Sequence, residues 1–174
     1  MSDYQWDSTF VELFERCLAR YRNGDEDFSG YYSDADLEFL TSIGYKPREL
    51  FDFVEDFGDE GEPSLTTAVM IASVRRDYLR HMMEGRLSDL EIQPDELPGQ
   101  SEELDGIVWL PRIIIKARGK LRGELDPNIM FSCGGDRHFL RTHGIAPADF
   151  LRAVWSADDD NSKIVKFVKS YSAG

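Results

Sequence analysis

The segment 132–138 holds the residue types with the greatest capacity for chemistry in this sequence. It reads Ser-Cys-Gly-Gly-Asp-Arg-His, and a helix is predicted to begin at its two glycines. The free N–H groups at a helix start attract anions, and Arg137 can add a charged pair of donors. Gly134, Gly135 and Arg137 therefore form a candidate binding site for a phosphate or carboxylate group.

Cys133 and His138 in the same segment are the candidate nucleophile and base. A thiolate is stabilised at a helix N-terminus, and histidine can accept a proton near neutral pH. No recognised nucleophile motif surrounds the pair, however, and a small thiol is more often part of a protein core. Asp136 lies three residues after the predicted cap, where a carboxylate more often caps the helix than acts as an acid. We therefore expect no catalysis from this segment.

The sequence offers no pattern of metal ligands. It has two cysteines and three histidines, and neither type is paired at a metal-binding spacing. His138 and His143 are five residues apart, which places them on different faces of a helix. We expect neither a metal site nor a cofactor.

A predicted helix over residues 111–123 concentrates positive charge. Lys116 lies on one edge of this helix and Arg118 on another, so both could contribute to the anion site. The alternative is that the basic edges pair with the acidic N-terminal part. Residues 1–64 carry 17 acidic and 5 basic side chains, whereas residues 108–174 carry 7 and 11. This polarity predicts complementary surfaces, within one molecule or between copies.

The composition excludes several classes of function. The sequence has 33 acidic and 20 basic side chains and a net charge of -13, which repels nucleic acid and anionic lipid. Its longest apolar runs are far shorter than the roughly 20 residues that span a bilayer. The acidic N-terminus also lacks the basic and then apolar order of a secretion signal. We expect a soluble cytoplasmic protein that binds neither nucleic acid nor membranes.

Apolar residues recur at steps of three and four through most of the chain, which predicts an all-α fold. Ser33 and Ser64 are expected to cap helices, and Pro47 suits a first helical turn. About eight helices are predicted, near residues 8–24, 33–43, 47–57, 64–85, 111–123, 134–143, 147–156 and 161–171.

Residues 86–106 are predicted to form an acidic connector that contains prolines. They carry seven acidic side chains against one arginine. The connector separates an N-terminal helical unit, residues 8–85, from a C-terminal unit, residues 107–174. It is expected to be either a domain linker or a strap that Leu87, Leu90, Ile92 and Leu97 hold against the core.

An internal repeat at a constant offset of 100 residues is the strongest single feature of the sequence. Residues 39–56 match residues 139–156 with identities at Phe39, Leu40, Gly44, Pro47 and Val54. These five identities exceed the roughly one that background composition would give. The sequence therefore predicts an internally duplicated bundle of two four-helix units, each with a glycine corner followed by a proline.

The C-terminal half also carries a recurring set of short motifs: Leu110-Pro111-Arg112, Lys116-Ala117-Arg118, Phe139-Leu140, Gly144 and Phe150. This set resembles the bacterial family called domain of unknown function 5069, and the N-terminal half is similar to the longer members. The segment 134–137 departs from the family, in which many members carry a Leu-Asp-Gln-like sequence there. The resemblance implies a small helical bacterial protein and brings no known activity with it.

These observations favour a non-catalytic interaction or regulatory module, because neither a nucleophile with its base nor a metal cluster stands out. Its partner would be another protein or a second copy of the chain. The alternative is an enzyme or binding protein for a small phosphorylated or carboxylated metabolite at the Gly134-Gly135-Asp136-Arg137 helix start. In that alternative Lys116, Arg118 and Arg137 would hold the anion, and Cys133 or His138 would carry the chemistry.

Overall fold

The computed structural model describes residues 3–172, and eight α-helices account for most of them. The all-α fold is therefore confirmed. The bounds of the helices are α1 Trp6–Arg22, α2 Asp34–Ser42, α3 Pro47–Glu60, α4 Leu65–His81, α5 Leu110–Arg122, α6 Gly134–Thr142, α7 Pro147–Ala157 and α8 Asn161–Ser172. No helix within this described range is long and apolar enough to cross a membrane.

The helix starts follow from local sequence signals. The Ser33 Oγ accepts a hydrogen bond from the Asp36 backbone N–H, and the Asp36 carboxylate accepts one from the Ser33 N–H, so the two residues form a capping box. Ser64 caps α4 in a similar way through the Thr67 N–H. Pro47 lies in the first turn of α3, where its missing N–H costs no hydrogen bond. All three predicted starts are confirmed.

The corner between α2 and α3 recurs 100 residues later between α6 and α7. Gly44 and Gly144 both have positive φ, 77° and 68°, a conformation that favours glycine. The next residue in each corner donates its backbone N–H back into the preceding helix, Tyr45 to the Leu40 carbonyl and Ile145 to the Leu140 carbonyl. These bonds establish a shared local geometry. The internal duplication of the whole unit stays a prediction.

The helices of both halves pack around one continuous core. The α4 helix packs against α1, α5 and α7, so it joins the two halves. The α3 helix packs against α1, and α7 packs against α5 and α8. The buried apolar side chains of these helices form a single cluster. In the predicted repeat, α4 and α8 are the fourth helices of the two units. They occupy different positions, since α8 packs chiefly against α7.

One buried cation lies where the two halves meet. The Arg75 side chain on α4 is fully buried, and its hydrogen bonds within residues 3–172 go to backbone carbonyls and to the Met83 sulfur, not to a carboxylate. Its Nε donates to the Gly44 carbonyl at 3.0 Å and its Nη1 to the Leu121 carbonyl at 2.7 Å. Burial lowers the pKa of this guanidinium below its ordinary value. Arg75 thus ties the α2–α3 corner to the end of α5.

The region between α4 and α5 contains a β-hairpin that the helical pattern did not predict. Strand β1, Glu103–Leu104, pairs antiparallel with β2, Ile107–Val108, across an Asp-Gly turn. Earlier in the region, Ile92 pairs with Leu125 in an isolated bridge, and its side chain packs against the core together with Leu97.

Two of the four expected anchors of this region are wrong. Leu87 and Leu90 are 49% and 71% exposed, whereas Ile92 and Leu97 do pack against the core. Between Leu87 and Leu90 the contact with the C-terminal half is polar, from the Ser88 Oγ to the Glu124 Oε1 at 2.7 Å, and the backbone pairs with that half only at Ile92, whose N–H donates to the Glu124 carbonyl at 2.6 Å.

Candidate functional site

The start of α6 is built on a buried carboxylate, Asp136. Its side chain is fully buried and accepts three hydrogen bonds: from the Lys116 Nζ at 2.5 Å, the Ser132 backbone N–H at 2.9 Å and the Trp109 Nε1 at 3.0 Å. Lys116 is itself only 4% exposed, so the ion pair lies in the protein interior. A buried carboxylate needs such a set of donors to offset its lost hydration.

Asp136 does not form the predicted capping box. The cap residue of α6 is Cys133, and no side chain accepts a hydrogen bond there. The Asp136 carboxylate instead binds the N–H of Ser132, one residue earlier, because Ser132 adopts a positive φ of 71°. Asp36 in α2, at the equivalent repeat position, binds the Arg16 Nη2 at 2.6 Å through its Oδ1 and still closes its capping box through its Oδ2. The predicted role of Asp136 is therefore corrected from a cap to the partner of Lys116 and Trp109.

The predicted anion-binding residues are spread over three places. Lys116 is paired with Asp136. Above Gly135 lies the Trp109 ring, so close that a Cβ added at Gly135 would lie 2.5 Å from the indole Cζ2. Arg118 binds elsewhere, through its Nη2, to the Asp158 carbonyl and the Asn161 Oδ1, each at 2.8 Å. The structure thus brings Lys116 and Gly135 together and leaves Arg118 apart.

Arg137 points away from that cluster, toward the N-terminal half. Its guanidinium is 7% exposed and lies 2.7 Å from the Asp56 Oδ2 and 2.7 Å from the Glu60 Oε2. Although burial lowers the pKa of Arg137, these two carboxylates raise it above the ordinary value overall. The predicted alternative for the basic edges of α5, pairing with the acidic N-terminal part, holds at Lys120, whose Nζ lies 2.8 Å from the Glu49 Oε1, whereas Lys116 pairs within the C-terminal half.

The candidate nucleophile and base, Cys133 and His138, are not joined by a hydrogen bond in the described structure. The Cys133 Sγ lies 3.1 Å from the Lys116 Nζ. The described part of the chain also contains no cluster of three or more metal-ligating side chains. His138 instead lines an open groove on the side of α6 that faces the β-hairpin.

This groove, about 510 Å³ in volume, lies between β2 and α6 and is mainly apolar. Trp109 forms one wall, and its indole is fixed by the bond to Asp136. Only a few polar groups line this groove. A mainly apolar lining with a few polar groups is usual for a ligand-binding site. Side chains on both walls are Ile107, Val108, Trp109, His138, Phe139 and Thr142.

The hairpin presents an unpaired backbone edge to this groove. Val108 is 51% exposed and lies opposite Glu103, while the next residue, Trp109, donates its N–H to the Glu102 carbonyl at 3.0 Å. Val108 therefore occupies a non-hydrogen-bonded position, where the N–H and C=O point away from the partner strand. No other strand of the described chain pairs with that edge.

Sequence reasoning missed Trp109, Val108 and the hairpin. The signal for the hairpin was present, because Asp105-Gly106 between short apolar pairs is a strong hairpin pattern. The role of Trp109 had no local signal, since its partner Asp136 lies 27 residues away.

Comparison with known proteins gives one match. Residues 96–173 match the model of a family described as Domain of unknown function (DUF5069). No curated protein and no solved structure matches the chain. The matched residues include the hairpin, α5 and α6, so the groove and the buried Asp136 cluster lie within them. The resemblance of the C-terminal half to DUF5069 is thereby confirmed.

Proposed function

We propose that this chain is a cytoplasmic, non-catalytic interaction module that binds an extended segment of a partner protein in the groove between β2 and α6. The segment would add a strand to the free edge of β2 and insert an apolar side chain beside Trp109. Strand addition of this kind takes its affinity from backbone hydrogen bonds and its specificity from side-chain pockets.

The observation that carries this proposal is the unpaired edge at Val108 beside an apolar groove. An exposed strand edge is a template for pairing with another chain, and proteins commonly cover or charge such edges. Here the edge is short and is followed directly by the groove, so a peptide that pairs with Val108 brings its side chains to Phe139 and Trp109.

The charges near the edge favour a basic partner segment. Glu103 is exposed and lies directly opposite Val108, so both side chains project from the same face of the hairpin. The protein as a whole carries a net charge of -13. A lysine or arginine in the bound segment would meet Glu103 and would also increase the rate of association.

The internal pairing of the charged groups supports a role without catalysis. Lys116, Lys120 and Arg137 each contact a carboxylate, and the Cys133 thiol has no hydrogen bond to His138 within the described residues. A general base needs a free position within reach of its substrate, and these pairs leave none in the cluster at Asp136.

The experiment is a selection from a phage-displayed library of random peptides on the immobilised wild-type protein, followed by affinity measurements on the selected peptides. Val108→Pro removes the outward N–H of the edge, and Val108→Thr is the matched control that keeps it. We expect peptides that combine aromatic or aliphatic residues with lysine or arginine. They should bind Val108→Thr like the wild type and bind Val108→Pro roughly tenfold more weakly.

A second variant guards against a hairpin that fails to form in Val108→Pro. Thr142 is exposed on α6, so Thr142→Trp fills the groove without touching the strands. Selected peptides should lose binding to this variant as well. Peptides that bind both Val108→Pro and Thr142→Trp as tightly as they bind the wild type would contradict the proposal, and so would a selection that yields no binder.

A further inference from the structure

We propose that a second site, on the opposite side of α6 from the groove, binds a small organic carboxylate in the place now taken by the Glu62 side chain. This site is a cleft of about 480 Å³ between the two halves. Its N-terminal wall is the segment 61–67, and its C-terminal wall is formed by α6 and the segment 144–147. The inference goes beyond the peptide groove and does not depend on it.

The Glu62 carboxylate shows that the cleft has a position for this group. Its Oε2 lies 2.5 Å from the Arg141 Nη2 and 3.6 Å from the Arg137 Nε, so one carboxylate bridges two guanidinium groups. Glu62 and Arg141 are 49% and 64% exposed in their side chains. An ion pair with that exposure is weak, and a carboxylate from solution can replace it at little cost.

Two helix starts add to the attraction for a negative group. Ser64 and Thr67, at the beginning of α4, line one side of the cleft, and Pro147, at the beginning of α7, lines the other. Both helices exceed ten residues and begin at the cleft. The positive end of each helix dipole therefore lies there.

An independent observation is a hydroxyl group without a partner. Ser132 lines the cleft and is fully buried, and its Oγ forms no hydrogen bond with the described residues. Its carbonyl, by contrast, accepts a hydrogen bond from the Arg137 Nη1 at 2.7 Å. A buried hydroxyl normally has a partner, so the wall of the cleft retains one unused hydrogen-bonding group.

The charges already present select a carboxylate over a phosphate. Asp56 and Glu60 occupy the Nη1 and Nη2 of Arg137, which leaves its Nε edge and Arg141 for the ligand. Two cations and two retained carboxylates favour a ligand group with a single charge, such as one carboxylate of a dicarboxylic acid, because the two charges of a phosphate dianion share one centre and would both lie close to Asp56 and Glu60. Leu140 and Ile145 in the wall provide apolar contact for an organic body.

The experiment measures the binding of glutarate, whose end group reproduces the Glu62 side chain, by isothermal titration on the full chain. Glu62→Gln removes the resident competitor and should tighten glutarate binding by roughly two- to fivefold. Arg141→Gln, in the Glu62→Gln background, should weaken it by a similar factor or more. Arg152→Gln is the matched control, because Arg152 forms an exposed ion pair with Asp149 outside the cleft.

Two further ligands separate the explanations. Glutaramide has the same shape without the charge and should not bind, and inorganic phosphate at matched ionic strength should bind more weakly than glutarate. The proposal is overturned if Glu62→Gln shows no glutarate binding, if Arg141→Gln leaves that binding unchanged, or if phosphate binds more tightly than glutarate. Thermal unfolding of each variant shows whether it is folded before titration.

Discussion

The Nζ of Lys116 lies 2.5 Å from the Oδ2 of Asp136, in a part of the interior where the two side chains are only 4% and 0% exposed. The pair connects α5 to the first turn of α6. Since Asp136 also accepts from Trp109, which forms a wall of the groove, this one carboxylate holds both the helix start and the groove in place.

Removal of the lysine should destabilise the protein strongly. Lys116→Met keeps the apolar stem but leaves the Asp136 carboxylate buried without a cation, a change that typically costs about 3–5 kcal/mol. The double variant Lys116→Met/Asp136→Leu removes both charges and should recover much of that loss. Urea unfolding of the wild type and the three variants of this cycle measures the coupling. Additive effects of the two single changes would show that the pair is not an energetic unit.

Trp109→Phe provides a milder test of the same cluster. It removes one of three donors to Asp136 but leaves the Lys116 charge in place, so we expect a loss of about 1–3 kcal/mol in the free energy of unfolding. The loss should be smaller than that of Lys116→Met in the same urea experiment. A larger loss would mean that the packing of the indole on Gly135, and not its hydrogen bond, holds the start of α6.

Asp52 should make stability depend on pH. Burial raises the pKa of its carboxyl from 3.8 to about 6, although Arg48, with its Nε 2.6 Å away, opposes the shift. Because the folded state holds this proton more tightly than the unfolded state, the contribution to stability is fully present below pH ~4 and is lost as the pH rises through about 6. The contribution is roughly 2–3 kcal/mol at most.

The measurement compares the wild type with Asp52→Asn by urea unfolding between pH 4 and pH 8. The amide of the variant does not titrate, so the difference in unfolding free energy between the two proteins should change across this range and become constant above pH ~7. A difference that stays constant from pH 4 to pH 8 would contradict the raised pKa. The contributions of the other carboxyl groups to the free energy of unfolding cancel in this comparison, because both proteins contain these groups.

The sequence predicted those features of the fold that depend on neighbours along the chain. Ser33 and Asp36 form their capping box because the two residues are three apart, and Arg16, 20 residues before Asp36, binds the other carboxylate oxygen at 2.6 Å without disrupting it. At the equivalent position, Asp136 binds Lys116 and Trp109, which are 20 and 27 residues away, and no local pattern indicates them. The same limit applies to the groove, whose two walls are separated by α5.

The basic residues show how the site was only partly predictable. Charge polarity along the chain indicated that the two halves would pair, and Arg137 does bind Asp56 and Glu60. The direction in which Arg137 points was not predictable, because helical spacing alone does not tell which side of α6 faces the N-terminal half. Once that side is known, Gly135 lies under Trp109 and Arg137 lies on the other side of α6, while Gly134 is close to the Arg137 guanidinium.

The two glycine corners should respond differently to the same substitution. At Gly144, φ is 68° and no atom other than those of its chain neighbours lies within 4 Å of an added Cβ, so Gly144→Ala incurs only the strain of positive φ, about 1 kcal/mol. At Gly44, where φ is 77°, the added Cβ would lie 2.6 Å from the Arg75 Cζ. Arg75 is fully buried and is held by the Gly44 and Leu121 carbonyls, so it cannot move aside without losing a hydrogen bond.

We expect Gly44→Ala to lower the free energy of unfolding by about 2–4 kcal/mol, measured by urea unfolding beside Gly144→Ala. Equal losses at the two corners would mean that Arg75 yields freely and does not tie the halves together.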